Sequence, residues 1–346
     1  MIHTINQMSY QYKEITDRDE LRDHIHRIHD FLRNNGVGIG MTALKIFNLF
    51  YALKIIDDKR QTFNPPLSKA CSWKHLRTLH DDRLIEAIVA RDNKSVLDEL
   101  YRNESTRDTI FYDIPRDVQT GTYDKLMRMI DQIPIANTYD VDLAGKIYEY
   151  FIGYGDKTSM SDLGAYFTDR HITQYIMDEI KPQIMIDPSD QDIGHVPTMI
   201  DPCGGSGGFT LTYTRYMHDK YGGMIDWEDE INQITHYDMS EDVVKSASLE
   251  MFVLTGVFPK VGHLGNFRRT NSFKNNYGDQ KYMYVISNPP YGGDKNKKNA
   301  EQQGIDKLIN MIKSNYMDEK WADAQLKTLS KKKQQIIKDA MRKKIM

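Results

Sequence analysis

Asn288, Pro289, Pro290 and Tyr291 follow one another directly behind the apolar pair Val285 and Ile286, in the stretch YVISNPPYGG. Neither proline has an N–H to give to a sheet, so a strand arriving here must stop. The chain beyond it is stiff and extended, and shows a carboxamide, backbone carbonyls and an aromatic face to whatever lies beside it. Two prolines are also a common strand stop, and Tyr291 is as readily a packing residue. Taken alone, the tetrapeptide leaves both readings open.

A second group of residues also has chemical capacity. In DPCGGSGGF, residues 201–209, four glycines and a serine lie between an apolar strand, VPTMI, and a helix, FTLTYTRYMHDKY. Glycine lets the backbone turn tightly and come near a ligand, and the start of a helix presents N–H groups without intrahelical partners. Such a turn suits a nucleotide-like cofactor. The dinucleotide fingerprint does not match: it wants an acid about 20 residues on, whereas Asp238 lies about 30 residues beyond Gly207. No G-x-x-x-x-G-K-[ST] occurs, which argues against a phosphate-cradling loop. An acid before the turn, Asp201, and another closing the next strand, Asp238, fit a ligand with an ammonium group and ribose hydroxyls. S-adenosylmethionine carries both. A tight strand-to-helix turn with no ligand is the alternative.

Periodicity predicts the elements that must hold these groups. Beyond residue 155 a helix is expected over 171–184, strands at VPTMI and QITHYD, and a helix over 240–256 with Ser240 as N-cap and Gly256 as its close. Val244, Ala247, Met251 and Leu254 fall on one face of that helix. VGHLGN and YMYVIS supply two more strands. Strand, glycine turn, helix and strand again is the opening of a doubly wound α/β sheet with right-handed crossovers. Before residue 155 the pattern is helical: residues 41–59 are apolar nearly all round, as in a buried helix, and residues 84–100 and 143–151 carry helical spacing. The expected division is a helical N-terminal domain over 1–155, a catalytic α/β domain over 156–293 and a lysine-rich helical segment over 294–346. Only about four strands are spent, where such sheets hold about five to seven, so the sheet is expected to be incomplete in this chain. Either the chain is a fragment, or the lysine-rich segment is an insertion ahead of further strands.

Composition narrows the class. At 346 residues, 40% hydrophobic and 27% charged, the chain is long enough for two cores and ordinary for a soluble protein. It has no run of about eighteen apolar residues to span a membrane and no signal-like start, which predicts an intracellular, cytoplasmic protein. Cys71 and Cys203 lack partner spacing, so neither a disulfide framework nor a zinc site is expected. His171, His195, His236 and His263 show no metal-ligand spacing, and core or surface roles are expected for them. The net charge of -3 hides an asymmetry: residues 294–346 carry 14 Lys/Arg against 7 Asp/Glu, or +7, which leaves -10 elsewhere. That excess reads either as a solvated helical face or as phosphate contact.

In their order along the chain, these stretches resemble the methyltransferases that act on the exocyclic amine of adenine in DNA, whose motifs are D-P-x-x-G-S-G and [DNS]-P-P-[YFW]. GAYFTDRHITQYI, residues 164–176, is similar to the G-x-[FY]-[FY]-T-P-R segment of the modification subunits of type I restriction systems. DLAGKIYEYFIG before it and YDMSEDVVKSASLEMFVLTG after the glycine turn look like the same subunits at the corresponding places. Three departures stand out: Asp169 replaces the usual Pro, Cys203-Gly204 replaces the common Ala-Cys pair, and the later motifs with a target-recognition region are missing.

The resemblance implies a Rossmann-like methyltransferase fold and S-adenosylmethionine as cofactor, with no metal. Tyr166, Phe167, Thr168 and Arg170 would line its methionine end, and Asp201, Ser206, Gly207 and Gly208 would form the turn beneath it. Asp238 would hold the ribose hydroxyls, and Asn266 would meet the adenine. Asn288 and Pro289 would accept hydrogen bonds from the target amine, Pro290 would stiffen the turn, and Tyr291 would stack on the base, which must leave the duplex to be reached. Double-stranded DNA with a flipped adenine, and a specificity subunit or C-terminal target-recognition region, are the implied partners. Three alternatives remain: methylation of a glutamine amide in a protein, methylation of a guanine in ribosomal RNA, and a catalytically silent DNA-binding subunit.

Overall fold

The computed structural model describes residues 17–59, 65–90, 94–110, 114–135, 150–151, 168–189, 192–275 and 279–289, together with Ile15, Phe63 and Tyr277. Helices come first in the chain: α1 (Arg18–Asn34), α2 (Met41–Asp58), α3 (Trp73–Leu76), α4 (Asp81–Val89), α5 (Val96–Arg102) and α6 (Thr122–Asp131). The single helix expected over 84–100 is two, α4 and α5. Ser95 and Asp98 form a capping box, which satisfies the backbone donors of a new helix start and so favours a break there. The helix expected over 143–151 lies outside the described residues apart from Tyr150 and Phe151.

Helix α2 is buried nearly all round, as its composition predicts. Two of its buried residues are polar, and each has a partner. Lys54 Nζ donates to the carbonyls of Ile130 at 3.1 Å, Asp131 at 3.3 Å and Ile133, at the end of α6 where a helix leaves carbonyls unpaired. Asn48 Nδ2 donates to Ser246 Oγ, 3.0 Å away and far along the chain.

The second half alternates. After α7 (Arg170–Ile180) come a small antiparallel pair, β1 (Met185–Ile186) with β2 (Gly194–His195), and then β3 (Met199–Asp201), α8 (Gly208–Tyr221), α9 (Trp227–Glu230), β4 (Ile234–Asp238), α10 (Glu241–Thr255), β5 (Phe267–Arg269) and β6 (Tyr284–Val285). Strands β3 to β6 form a parallel sheet in the order β5-β4-β3-β6, the α/β architecture expected. Helix α7 stops short of the expected Ile184, because Lys181 turns left-handed at φ 46° and Pro182 cannot continue a helix. VGHLGN is a turn rather than a strand apart from a single bridge at Val261: Gly262 has φ +116°, and a side chain at Gly265 would run into the Lys260 carbonyl. The strand begins one residue later, at Phe267.

Helix α10 joins the two halves. Val244, Ala247 and Met251 pack into the sheet's core with Met199, Phe209, Ile234 and Phe267. Val243, Leu249, Phe252 and Val253 pack into the core of the N-terminal helices. The single buried face expected from the sequence is therefore one of two, and Leu254 on that face is only half-buried. Phe252 stacks on Phe258 with ring centroids 4.0 Å apart and meets Phe63 edge-on at 6.2 Å. Lys45 on α2 pairs with Asp242 at 3.0 Å beside the Asn48–Ser246 bond. Among the described residues, no helix is long and apolar enough to cross a membrane.

Phe252 is 1% exposed at this junction, and truncating it leaves a cavity between two rigid layers. Phe252→Ala is expected to cost about 3–5 kcal/mol in urea unfolding. A loss under about 1 kcal/mol would contradict the shared-core role.

Candidate active site

The strand order creates the site. The chain leaves β3 to build β4 and β5 on one side, then returns to place β6 on the other. At such a reversal the connections run off in opposite directions, and a crevice opens at the carboxyl ends of the two neighbouring strands. Strand β3 ends there in Asp201, and β6 runs there into Ser287 and Asn288.

The glycine turn is shaped by its own residues. Gly205 and Gly207 take φ of +52° and +87°, which favour glycine. Gly204 N donates to the Tyr237 carbonyl at 2.8 Å and Gly207 N to the Gly204 carbonyl at 2.9 Å. Gly205 N donates to Asp238 Oδ2 at 3.2 Å, so the acid closing β4 holds the turn that follows β3. The other oxygen of Asp238 accepts from Ser240 N at 2.8 Å. Ser240 itself makes no side-chain cap, and Asp238 holds the backbone of the residue from which α10 starts.

Asp201 is 2% exposed, and its Oδ1 accepts from the Ser287 hydroxyl at 2.7 Å and from Cys203 N at 3.2 Å. Burial is the largest influence on this carboxyl and pushes it up to about 7, against the two hydrogen bonds that favour its charged form. Asp238 is also raised, chiefly by burial. Asn288 Nδ2 donates to Thr168 Oγ1 at 3.1 Å, which orients the carboxamide from a segment more than a hundred residues upstream. Arg170 is buried, with Nη2 3.5 Å from Ser206 Oγ, and a Cβ on Gly208 would lie 2.5 Å from its Nη1. Asp169 accepts from His171 N at 2.8 Å and caps α7, a role for which Asp suits the N-cap as Pro suits the first turn.

Thr168, Arg170, Asp201, Ser206, Gly207, Gly208, Asp238 and Asn288 are thus brought to one crevice, with exposed Pro289 at its rim. Tyr166, Phe167, Pro290 and Tyr291 lie outside the described residues. Asn266 is not brought there. It directly precedes the first residue of β5, and its carboxamide is spent on backbone: Nδ2 donates to the Ile231 and Ile234 carbonyls at 3.0 and 2.6 Å, and Oδ1 accepts from Lys260 N at 3.1 Å. The register decides this, since Asp238 pairs with Arg269 and the carboxyl edge of β5 is reached only at Thr270 and Asn271. Asn271 caps the turn there through Phe273 N at 3.2 Å, and Phe273 and Met239 project beside it, 76% and 67% exposed. Sequence reasoning missed these three residues. The two glycines of VGHLGN were the available signal that the strand begins after them.

The residues matched to the N-6 DNA methylase family are 139–338, more than half of the chain. This protein belongs to that family. Among curated relatives, the chain is 25% identical over 171 residues to the type I restriction enzyme MjaIX methylase subunit of Methanocaldococcus jannaschii, covering 49% of this chain and 26% of that one. It is 21% identical over 185 residues to the type I restriction enzyme EcoEI methylase subunit of Escherichia coli, covering 53% and 33%. The match therefore spans about a quarter to a third of those relatives' length. The fold is similar to that of a modification subunit of a putative type I restriction enzyme from Vibrio vulnificus, with a TM-score of 0.58 at 15% identity over 81% of this chain and 62% of that one. A chain from a structure of type I restriction–modification complex assembly gives 0.53 at 18% identity, over 80% and 56%. The N-6 DNA methylases are a methyltransferase family, and the family's cofactor is S-adenosylmethionine.

Donor chemistry in the crevice fits that cofactor. A buried carboxylate in want of a cation, a second carboxylate at the neighbouring strand end and a glycine cradle with no Cβ to obstruct it match an ammonium, a ribose and a close backbone approach.

Because the folded carboxyl of Asp201 titrates near 7 and the unfolded one near 3.8, the folded state holds the extra proton between those values. Stability of the cofactor-free protein should therefore fall as pH rises from about 4 to about 7 and level off above. Asp201→Asn removes the penalty: cofactor-free, it is expected to be more stable than the parent by on the order of 1–4 kcal/mol at pH 8, with the gap closing toward pH 4. Thermal unfolding across that range checks this, and a gap that widens toward low pH would contradict it.

Proposed function

We propose that the protein transfers the methyl group of S-adenosylmethionine to the exocyclic amine of adenine in DNA, as the modification component of a restriction–modification system. The observation that carries this reading is the Asn288 carboxamide held by Thr168 at the β3/β6 crevice, one residue beyond the Ser287–Asp201 hydrogen bond.

An adenine amine is a poor nucleophile because its lone pair is delocalised into the ring. Asn288 Oδ1 and the Pro289 carbonyl are the acceptors assigned to its two hydrogens. Held out of the ring plane, those hydrogens draw the nitrogen toward tetrahedral geometry and free its lone pair. Thr168 fixes the carboxamide through Nδ2, so its oxygen keeps its aim at no further entropic cost. When bound, the cofactor supplies an electrophilic methyl on a sulfonium. The nitrogen forms the new bond as the carbon–sulfur pair stays on sulfur, and the proton is shed afterwards from a cationic nitrogen, so no strong base is needed. Pro290 stiffens the segment, and Tyr291 stacks on the base taken out of the duplex.

At the cofactor end, Asp201 receives the ammonium and Asp238 the ribose hydroxyls, while Arg170 and Ser206 hold the cradle with Gly207 and Gly208. Tyr166 and Phe167 extend the methionine side. Met239, Asn271 and Phe273, at the carboxyl ends of β4 and β5, offer the adenine two apolar side chains and an amide. The lysine-rich residues 294–346 are assigned to DNA phosphate, and a specificity subunit or C-terminal target-recognition region to reading the sequence.

Two measurements test this. S-adenosylmethionine binding is expected to tighten as pH rises from about 6 to about 8, because Asp201 must be ionised to pair with an ammonium; affinity that is flat with pH removes Asp201 from that role. With labelled cofactor and the specificity partner present, label is expected in unmethylated DNA and not in a release factor or ribosomal RNA. Asn288→Ala should lower that transfer by about 100-fold or more while cofactor affinity stays within about threefold. Label in protein or RNA alone would overturn the DNA assignment.

A further inference from the structure

His236 sits in β4 between two strands, paired with Asp201 on one side and Phe267 on the other. Its ring is fully buried and stacks on Phe267 with centroids 5.0 Å apart. Nδ1 lies 3.0 Å from Thr210 Oγ1 in the first turn of α8. Burial lowers the imidazole to about 3, so the ring is neutral. Nε2 is buried, and a contact of the ring with the Gly205 backbone opposes the lowering without overcoming it. Directly above this ring lies Gly204.

A Cβ on Gly204 would stand 2.9 Å from His236 Nε2 and closer still to Cε1 and Nδ1. The ring cannot step aside, because Phe267 and Thr210 hold it and its backbone is pinned in a central strand. Gly204 is not at a left-handed φ, so the demand for glycine here is one of space rather than backbone conformation. The family's common Ala-Cys pair would put a side chain at this position, and the Cys203-Gly204 departure thereby acquires a physical reason.

We propose that His236 is a positioning residue for the cofactor turn: its imidazole is the floor on which the Gly204–Gly205 backbone rests, and it sets how high the turn stands toward the ligand. The inference rests on the reading of that turn as the S-adenosylmethionine site. The ring fills space that a residue at 204 would otherwise occupy, so the two positions act as one unit. Gly204 N is tied to Tyr237 and Gly205 N to Asp238, the two residues after His236, so ring and turn share one short piece of chain.

Calorimetric titration of S-adenosylmethionine into the parent, Gly204→Ala, His236→Ala and the double variant tests this, each at a temperature well below its own unfolding midpoint. Gly204→Ala is expected to weaken binding by about tenfold or more, and His236→Ala by a smaller factor. The double variant is expected to recover to within about threefold of the parent, because removing the ring makes room for the added methyl. A double variant as weak as Gly204→Ala, or a Gly204→Ala protein that binds like the parent, would overturn the proposal. Should Gly204→Ala fail to fold, recovery of both fold and binding in the double variant supports the pairing equally, and its failure to recover overturns it. If the parent itself does not bind S-adenosylmethionine, the proposed function fails instead, which distinguishes the two failures.

Discussion

A carboxylate buried at the end of the central strand is the constraint around which the site is organised. Asp201 costs free energy where it lies, since burial disfavours its charge more than two hydrogen bonds favour it. Those bonds are also what hold the site together. Through Ser287 the carboxylate fixes the strand end that leads into Asn288, and through Cys203 N it fixes the start of the glycine turn. One unfavourable group thus sets the relative position of the two stretches that the chemistry requires, and a cationic ligand group would relieve the cost.

The frame beneath this arrangement is stiff because α10 belongs to two cores at once. One face closes the sheet from which Asp238 projects, and the opposite face is covered by the N-terminal helices. Asp238 bonds both the glycine turn and Ser240, the residue that leads into α10. The helical part therefore reaches the site through the helix that follows Asp238, and the Asn48–Ser246 and Lys45–Asp242 contacts lie within that same helix's first turns. A buried asparagine among apolar neighbours is costly unless partnered, and Asn48 finds its partner, Ser246, on the facing helix.

Much of this is legible in the residues alone. The apolar run of α2, the strand entering DPCGGSGGF, the helix after it and the strand ending in Asp238 all follow from short-range chemistry: hydrophobic period, glycine at a turn, an acid at a strand end. The folded chain departs from that pattern where a signal is ambiguous over a few residues. VGHLGN looks apolar enough for a strand, yet its glycines make a turn, and that small shift leaves Asn266 ahead of β5 with its carboxamide turned to the Ile231 and Ile234 carbonyls instead of the site. The split between α4 and α5 and the early stop of α7 were signalled by Ser95 with Asp98 and by Pro182, whose local effects outweighed the helical spacing around them.

The local turns and the order of the elements are written in the residues, because glycine, proline and capping preferences act within a few residues of the chain. They thereby specify an α/β sheet with an acid at the end of its first parallel strand and an amide behind a later one. That these two strands are neighbours, that Thr168 reaches Asn288, and that a side chain at Gly204 would meet the His236 ring emerge only from the folded arrangement. Each of these depends on which surfaces meet once the sheet's order reverses at β3. Such contacts join residues from about 30 to more than 100 positions apart, and no local preference encodes them.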